Sequence, residues 1–120
     1  VQKYLQALAE EQEVVGALSN LVMEVYAAES TLLRTKKKIV KDGAAACAAH
    51  CDAARAYTHA AIERIELDAR RALARIAEGD TLRTQLALLR RFLKRTPPDL
   101  IELRRRVANR ALELNRYPFA

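Results

Sequence analysis

Tryptophan is absent from this chain of 120 residues, and glycine and proline number only three each. With so few turn-formers, and with no run that alternates apolar and polar residues at period two, strands are not expected. Cysteine occurs twice, which points to a reducing compartment. No apolar run approaches the roughly 20 residues of a membrane span, and no signal peptide precedes the first helical pattern. A soluble, cytoplasmic chain is predicted. There is no glycine-rich phosphate loop, which leaves nucleotide binding without support.

What is present is helical periodicity and charge. Val14, Leu18, Leu21, Val25, Ala28 and Leu32 follow one another at steps of 4, 3, 4, 3 and 4, the spacing of one buried stripe on an α-helix. Val15, Val22 and Leu33 widen that stripe, so the helix is expected to sit in a groove between at least two others. It should run from about Leu8 to Val40, with Gly16 inside it allowing a close neighbour and with Lys36, Lys37 and Lys38 suiting the negative end of the helix dipole. Gly43 is its expected left-handed terminator.

A second helix is expected over about Ala44–Ala77, its stripe small in the first half (Cys47, Cys51, Ala54) and larger in the second (Ile62, Ile65, Leu73, Ile76). Gly79 closes it, with Asp80 or Thr81 capping a third helix that extends to about Arg95. In Thr96-Pro97-Pro98-Asp99, Thr96 caps a fourth helix and Pro97 takes its first position. Leu100, Leu103, Val107, Ala111 and Leu114 form its stripe, Asn115 and Pro118 end it, and Tyr117 and Phe119 pack as a tail. The expected fold class is all-α: an up-down bundle of about four helices, two long and two shorter, as a single domain over residues 1–120. A start at Val1 rather than methionine points to a segment of a longer polypeptide, its C-terminal part.

Candidate sites are few. Cys47, His50 and Cys51, with His59, have metal-binding side chains, but one helix cannot converge them on a tetrahedral ion; the cysteines read as small core residues, and no metal is expected. Glu29 beside the stripe reads as a partner for an arginine on a facing helix rather than a catalytic carboxylate, since no second acid or histidine is spaced to work with it. The net charge of +6 is uneven: residues 1–80 hold 11 basic and 12 acidic side chains, residues 81–120 hold 10 and 3. Arg90, Arg91, Lys94, Arg95, Arg104, Arg105 and Arg106 are therefore the expected contacts for an anionic surface. Nucleic acid is not expected, because no helix-turn-helix, zinc pattern or aromatic platform accompanies them.

Gln12, Val14, Leu18, Val22 and Arg34 form a helix that opens with glutamine, continues as a spaced apolar stripe and closes near an arginine. This resembles the C-terminal helical region of the acyl-CoA dehydrogenase superfamily. Glu11-Gln12, Val25-Tyr26-Ala27 and Leu33-Arg34 look closest to the extra helical domain that follows the catalytic core in the very-long-chain type. The stretch from Ala74 to Thr81 is similar to the family's isoleucine–tyrosine–glutamate–glycine–threonine turn, whose glutamate can be the base that takes the α-proton of the acyl-CoA. Here Ala77 replaces the tyrosine and Asp80 is inserted before Thr81, so Glu78 reads as a vestige that helps end a helix. The resemblance covers residues 5–82 and the Tyr117-Pro118-Phe119 tail.

That resemblance implies a non-catalytic domain with no cofactor of its own, appended to an FAD-dependent enzyme that oxidises acyl-CoA thioesters in fatty-acid β-oxidation. Its implied partners are the rest of the parent dehydrogenase, a homo-oligomer it supports, and an anionic membrane surface, placing it peripherally at the inner membrane face. The alternative is a stand-alone basic helical module that binds an anionic membrane or an acidic protein partner. The apolar width of the first helix also admits a free-standing bundle that self-associates.

Overall fold

The computed structural model describes residues 11–119. Four α-helices follow in order: α1 Gln12–Asp42, α2 Ala48–Ile76 after a 3₁₀ turn at Ala45–Cys47, α3 Gly79–Phe92 and α4 Leu100–Leu114. Among the described residues there is no strand. Two long and two shorter helices match the all-α expectation. The predicted start of the first helix at Leu8 lies outside the described residues.

The helices form two compact units, and α1 and α2 each contribute to both. One unit takes residues 11–25 and Ile62–Arg95; the other takes Tyr26–Ala61 and residues 96–119. Ion pairs give the chain direction in each. In the first unit Arg75 holds Glu11 through two bonds of 3.0 and 2.6 Å, and Arg64 holds Glu24 through two of 2.6 and 2.9 Å. The α2 partner thus moves backwards as the α1 partner advances, so the two segments are antiparallel. Arg95, just beyond α3, lies 3.7 Å from Glu66, which brings α3 back along α2. In the second unit Arg106 of α4 meets Asp52 of α2 at 2.8 Å, and a depression lined by Ala45, Ala49, Asp52, Arg106, Asn109 and Glu113 shows these two segments antiparallel as well. Paired N–H donors on a carboxylate fix geometry more firmly than a single contact.

Helix ends follow local chemistry, with three departures from expectation. Gly43 adopts φ +87° and its N–H bonds to the Ile39 carbonyl at 2.8 Å, so it terminates α1 as predicted. The third helix begins at Gly79 rather than Thr81. Gly79 takes φ +59°, which glycine adopts without Cβ strain, and this turns the chain into α3 directly after Glu78. That helix stops at Phe92 and not at Arg95, because the Arg95 guanidinium donates to the Leu93 carbonyl at 2.9 Å and satisfies it outside the helix. The fourth helix is capped by Asp99, not Thr96: the Asp99 carboxylate accepts the Glu102 N–H at 2.9 Å. Pro98 disfavours the helical region for Pro97 before it, so no helix starts there. Asn115 closes α4 in the left-handed region at φ 50°.

The core is built mostly from small side chains: Ala17, Cys47, Ala54, Ala56, Ala61 and Ala72, with Val14 and Leu103. Alanine and cysteine admit close helix approach, as expected for the first half of α2. The larger residues of its second half (Ile62, Ile65, Leu73, Ile76) are only half-buried. The α1 stripe divides. Val14 is buried and Leu21 and Ala28 are half-buried, but Val15, Leu18, Val25 and Leu32 are about half exposed, and Val22 and Leu33 face outward. The groove predicted for α1 therefore covers one side of it and leaves the other apolar side open among the described residues. Nor does a neighbour approach Gly16, beside which an added Cβ would meet nothing within 4 Å.

Among the described residues of the second unit, Leu103 is the one large aliphatic side chain that is almost completely buried, at 3% exposure. Leu103→Ala is expected to cost about 2–5 kcal/mol, read as a lowered denaturant midpoint at unchanged slope.

Candidate functional site

The second unit carries a depression walled by α1, α2 and the tail after α4. Its walls come from three segments: Thr31, Arg34 and Thr35 of α1, His50, Ala53, Ala54 and Tyr57 of α2, and Tyr117 and Phe119 of the tail after α4. Its volume is about 240 Å³. Thr31 and Thr35 return their hydroxyls to the carbonyls of Ala27 and Thr31, both at 2.8 Å, which keeps those polar groups paired within the helix. Arg34 fastens the tail: its Nη2 donates to the Phe119 carbonyl at 2.9 Å. Phe119 stacks edge-on against both His50 (centroids 5.3 Å) and Tyr117 (5.4 Å). Adjoining this depression, Arg34, Lys37, Lys38, Lys41, His50 and Phe119 line a second one of about 300 Å³.

His50 is the perturbed group. Both ring nitrogens are buried without a hydrogen-bond partner. Burial first, then the positive charges of Lys38 and Arg34, hold its pKa below the ordinary histidine value, and Asp42 opposes this only partly. The carboxylates of Glu11, Glu24 and Asp42 are held below the usual range by their bonds to Arg75, Arg64 and Lys38 respectively.

The residues singled out by sequence are dispersed. Arg90 and Arg91 close α3, with Lys94 and Arg95 just after it in the first unit, while Arg104, Arg105 and Arg106 stand on α4 in the second. Two of the seven are engaged: Arg95 with Glu66 and Arg106 with Asp52. Glu29 is exposed; the carboxylates that hold arginines of the facing helix are Glu24 of α1 and Glu11 just before it, paired with Arg64 and Arg75 of α2. Cys47 is fully buried, Cys51 half-buried, and both are free thiols. Glu78 is exposed on extended backbone and opens α3 rather than ending α2, its carbonyl accepting the Leu82 N–H at 3.3 Å. It lines neither of the depressions around His50. In sequence Lys36, Lys37 and Lys38 read as partners of the helix dipole; only the fold groups Lys37 and Lys38 with Arg34, Lys41, His50 and Phe119.

The His50 geometry sets a pH dependence. A proton binds the folded protein less readily than the unfolded chain, so this contribution to stability is complete above the unfolded value near 6.5 and declines as pH falls through it and on through the folded pKa. The thermal midpoint is expected to drop between pH 7 and pH 5, and His50→Gln should flatten that slope. The three lowered carboxylates weaken the fold only at lower pH, below about 4.5.

Comparison with known proteins places these features. The family model for the acyl-CoA dehydrogenase C-terminal domain matches residues 1–91. A Bacillus subtilis (strain 168) protein named "Probable acyl-CoA dehydrogenase" is 35% identical over 116 residues, which is 97% of this chain and 20% of that protein. A crystal structure of acyl-CoA dehydrogenase complexed with FAD from Bacillus anthracis superposes with a TM-score of 0.94 at 34% identity, again over 97% of this chain and 20% of the other. The chain thus spans about a fifth of the length of these relatives, and the match to them extends past the stretch where the resemblance was legible, through the end of α3 and α4.

Proposed function

The chain belongs to the acyl-CoA dehydrogenase family as its C-terminal helical domain, and from that premise we propose that it is a non-catalytic part of an FAD-dependent enzyme, stabilising the parent by laying the outward side of α1 against the rest of the polypeptide. The observation that carries this reading is the unpartnered apolar side of α1. In the first unit it presents Val15, Leu18 and Val22, and in the second Tyr26, Leu33 and Val40, with Val22 at 70% and Val40 at 88% exposure. Single exposed apolar residues are ordinary, but rows of them at helical spacing mark a contact surface. The length relation supports the choice of occupant: four-fifths of the curated relative lies outside the matched stretch.

The residues of this chain do not fit a flavin. Its three glycines offer no phosphate-cradling loop, and the two with positive φ terminate α1 and start α3. The described depressions are open and bounded by short side-chain rows. Oxidation of an acyl-CoA thioester, with FAD as electron acceptor, is therefore assigned to other domains of the parent. Glu78 is assigned no chemistry, since it projects from an exposed helix start. Among the described residues no helix is long and apolar enough to cross a membrane.

In the complete polypeptide, Val22→Asp with Leu33→Asp is expected to lower stability by about 3–6 kcal/mol, since each side chain contributes roughly 1.5–3 kcal/mol when fully buried. FAD content and dehydrogenase activity should fall together with the thermal midpoint. A double variant with the parent's midpoint and activity would contradict the reading, as would stoichiometric FAD binding and acyl-CoA oxidation by the isolated segment.

A further inference from the structure

The positive charge of the chain is concentrated by the fold in a way that sequence order hides. The second unit holds eleven basic and six acidic side chains, whereas the described part of the first holds nine and eight. Within the second unit, Arg34, Lys37, Lys38 and Lys41 recur at steps of 3, 1 and 3, the spacing of neighbours on one helix face. All four line the 300 Å³ depression with His50 and Phe119. The negative end of the α1 dipole accounts for part of this, but it amounts to only about half an elementary charge. Asp42, a carboxylate beside the row, is already paired with Lys38 at 2.9 Å. Four cations around one small cavity repel each other, and an anion seated among them would relieve that repulsion.

We propose that this depression is a binding site for a phosphate-bearing anion, gripped by Arg34, Lys37, Lys38 and Lys41, with the His50 ring forming part of its wall. A phosphate group suits it better than a carboxylate because three acceptor oxygens can engage several cationic donors together. Arg34 keeps further N–H donors after the one it gives to Phe119, so the tail contact pre-orients the guanidinium. The volume lies at the small end of ligand sites, which fits a headgroup or a diphosphate and not a whole nucleotide. The proposal does not depend on the dehydrogenase reading.

The test uses the complete polypeptide and a Lys37→Gln, Lys41→Gln double variant. Both lysines are exposed, so the helix should persist, and unchanged helical circular dichroism verifies it. Lys41→Gln alone serves as a second variant. Calorimetric titration with inorganic pyrophosphate forms one arm. Co-sedimentation with phosphatidylcholine vesicles containing phosphatidic acid forms the other. The double variant is expected to weaken binding at least tenfold and Lys41→Gln by an intermediate factor, with affinity falling as salt rises through 0.2 M. Sensitivity in the pyrophosphate arm identifies a soluble phosphate as the source; sensitivity confined to the vesicle arm identifies a lipid headgroup. Absence of binding in both arms, or binding that both variants leave unchanged, would overturn the proposal.

Discussion

A helix whose apolar arc is wider than its neighbours can cover is not satisfied by a single core. That constraint governs this chain. On its inner side α1 presents Val14, Ala17, Leu21 and Ala28 to the other helices, and the small side chains of α2 let that packing be close. On its outer side Val22, Tyr26 and Leu33 are left largely exposed among the described residues, and Val15 partly so. Burying such a row stabilises by the area removed from water, and the described helices have no further surface to offer it. Family membership and the one-fifth coverage of relatives support the occupant proposed above, the remainder of a larger protein.

Electrostatics serves register more than strength. The Glu11–Arg75 and Glu24–Arg64 pairs are two-bonded but open to solvent, and exposed ion pairs contribute little net stability. Their value lies in fixing which turn of α1 lies beside which turn of α2, where a core rich in alanine discriminates registers weakly. In the second unit the balance differs. There the cations outnumber the carboxylates, and four of them gather at the end of α1 beside a histidine whose pKa burial lowers.

The helices and their order were legible because 3.6-residue periodicity survives in the sequence whatever the surroundings. Gly43 and Asn115 were legible as stops, since only residues tolerant of positive φ sit there comfortably. Two kinds of feature were not. Periodicity shows that Leu18 and Val22 belong to an apolar face but not whether this chain or another covers that face, so the stripe was drawn as one where the structure has two. Cap choice depends on competing local contacts: Asp99 displaced Thr96 because a proline pair blocks the earlier start. Likewise, the partner of an arginine on a facing helix requires the register between helices, which is why Glu29 looked suitable and Glu24 is the residue used. The depression around His50 combines residues up to 85 positions apart, as in the Arg34–Phe119 contact, and no spacing rule reaches that far.

The central claim is that the outer side of α1 is an internal surface of a larger protein. Hydroxyl-radical footprinting of the complete polypeptide, read by mass spectrometry at Val15, Val22, Tyr26 and Leu33, addresses it directly. The account predicts modification as slow as at buried Leu103. Rates typical of freely exposed side chains at all four positions would contradict it.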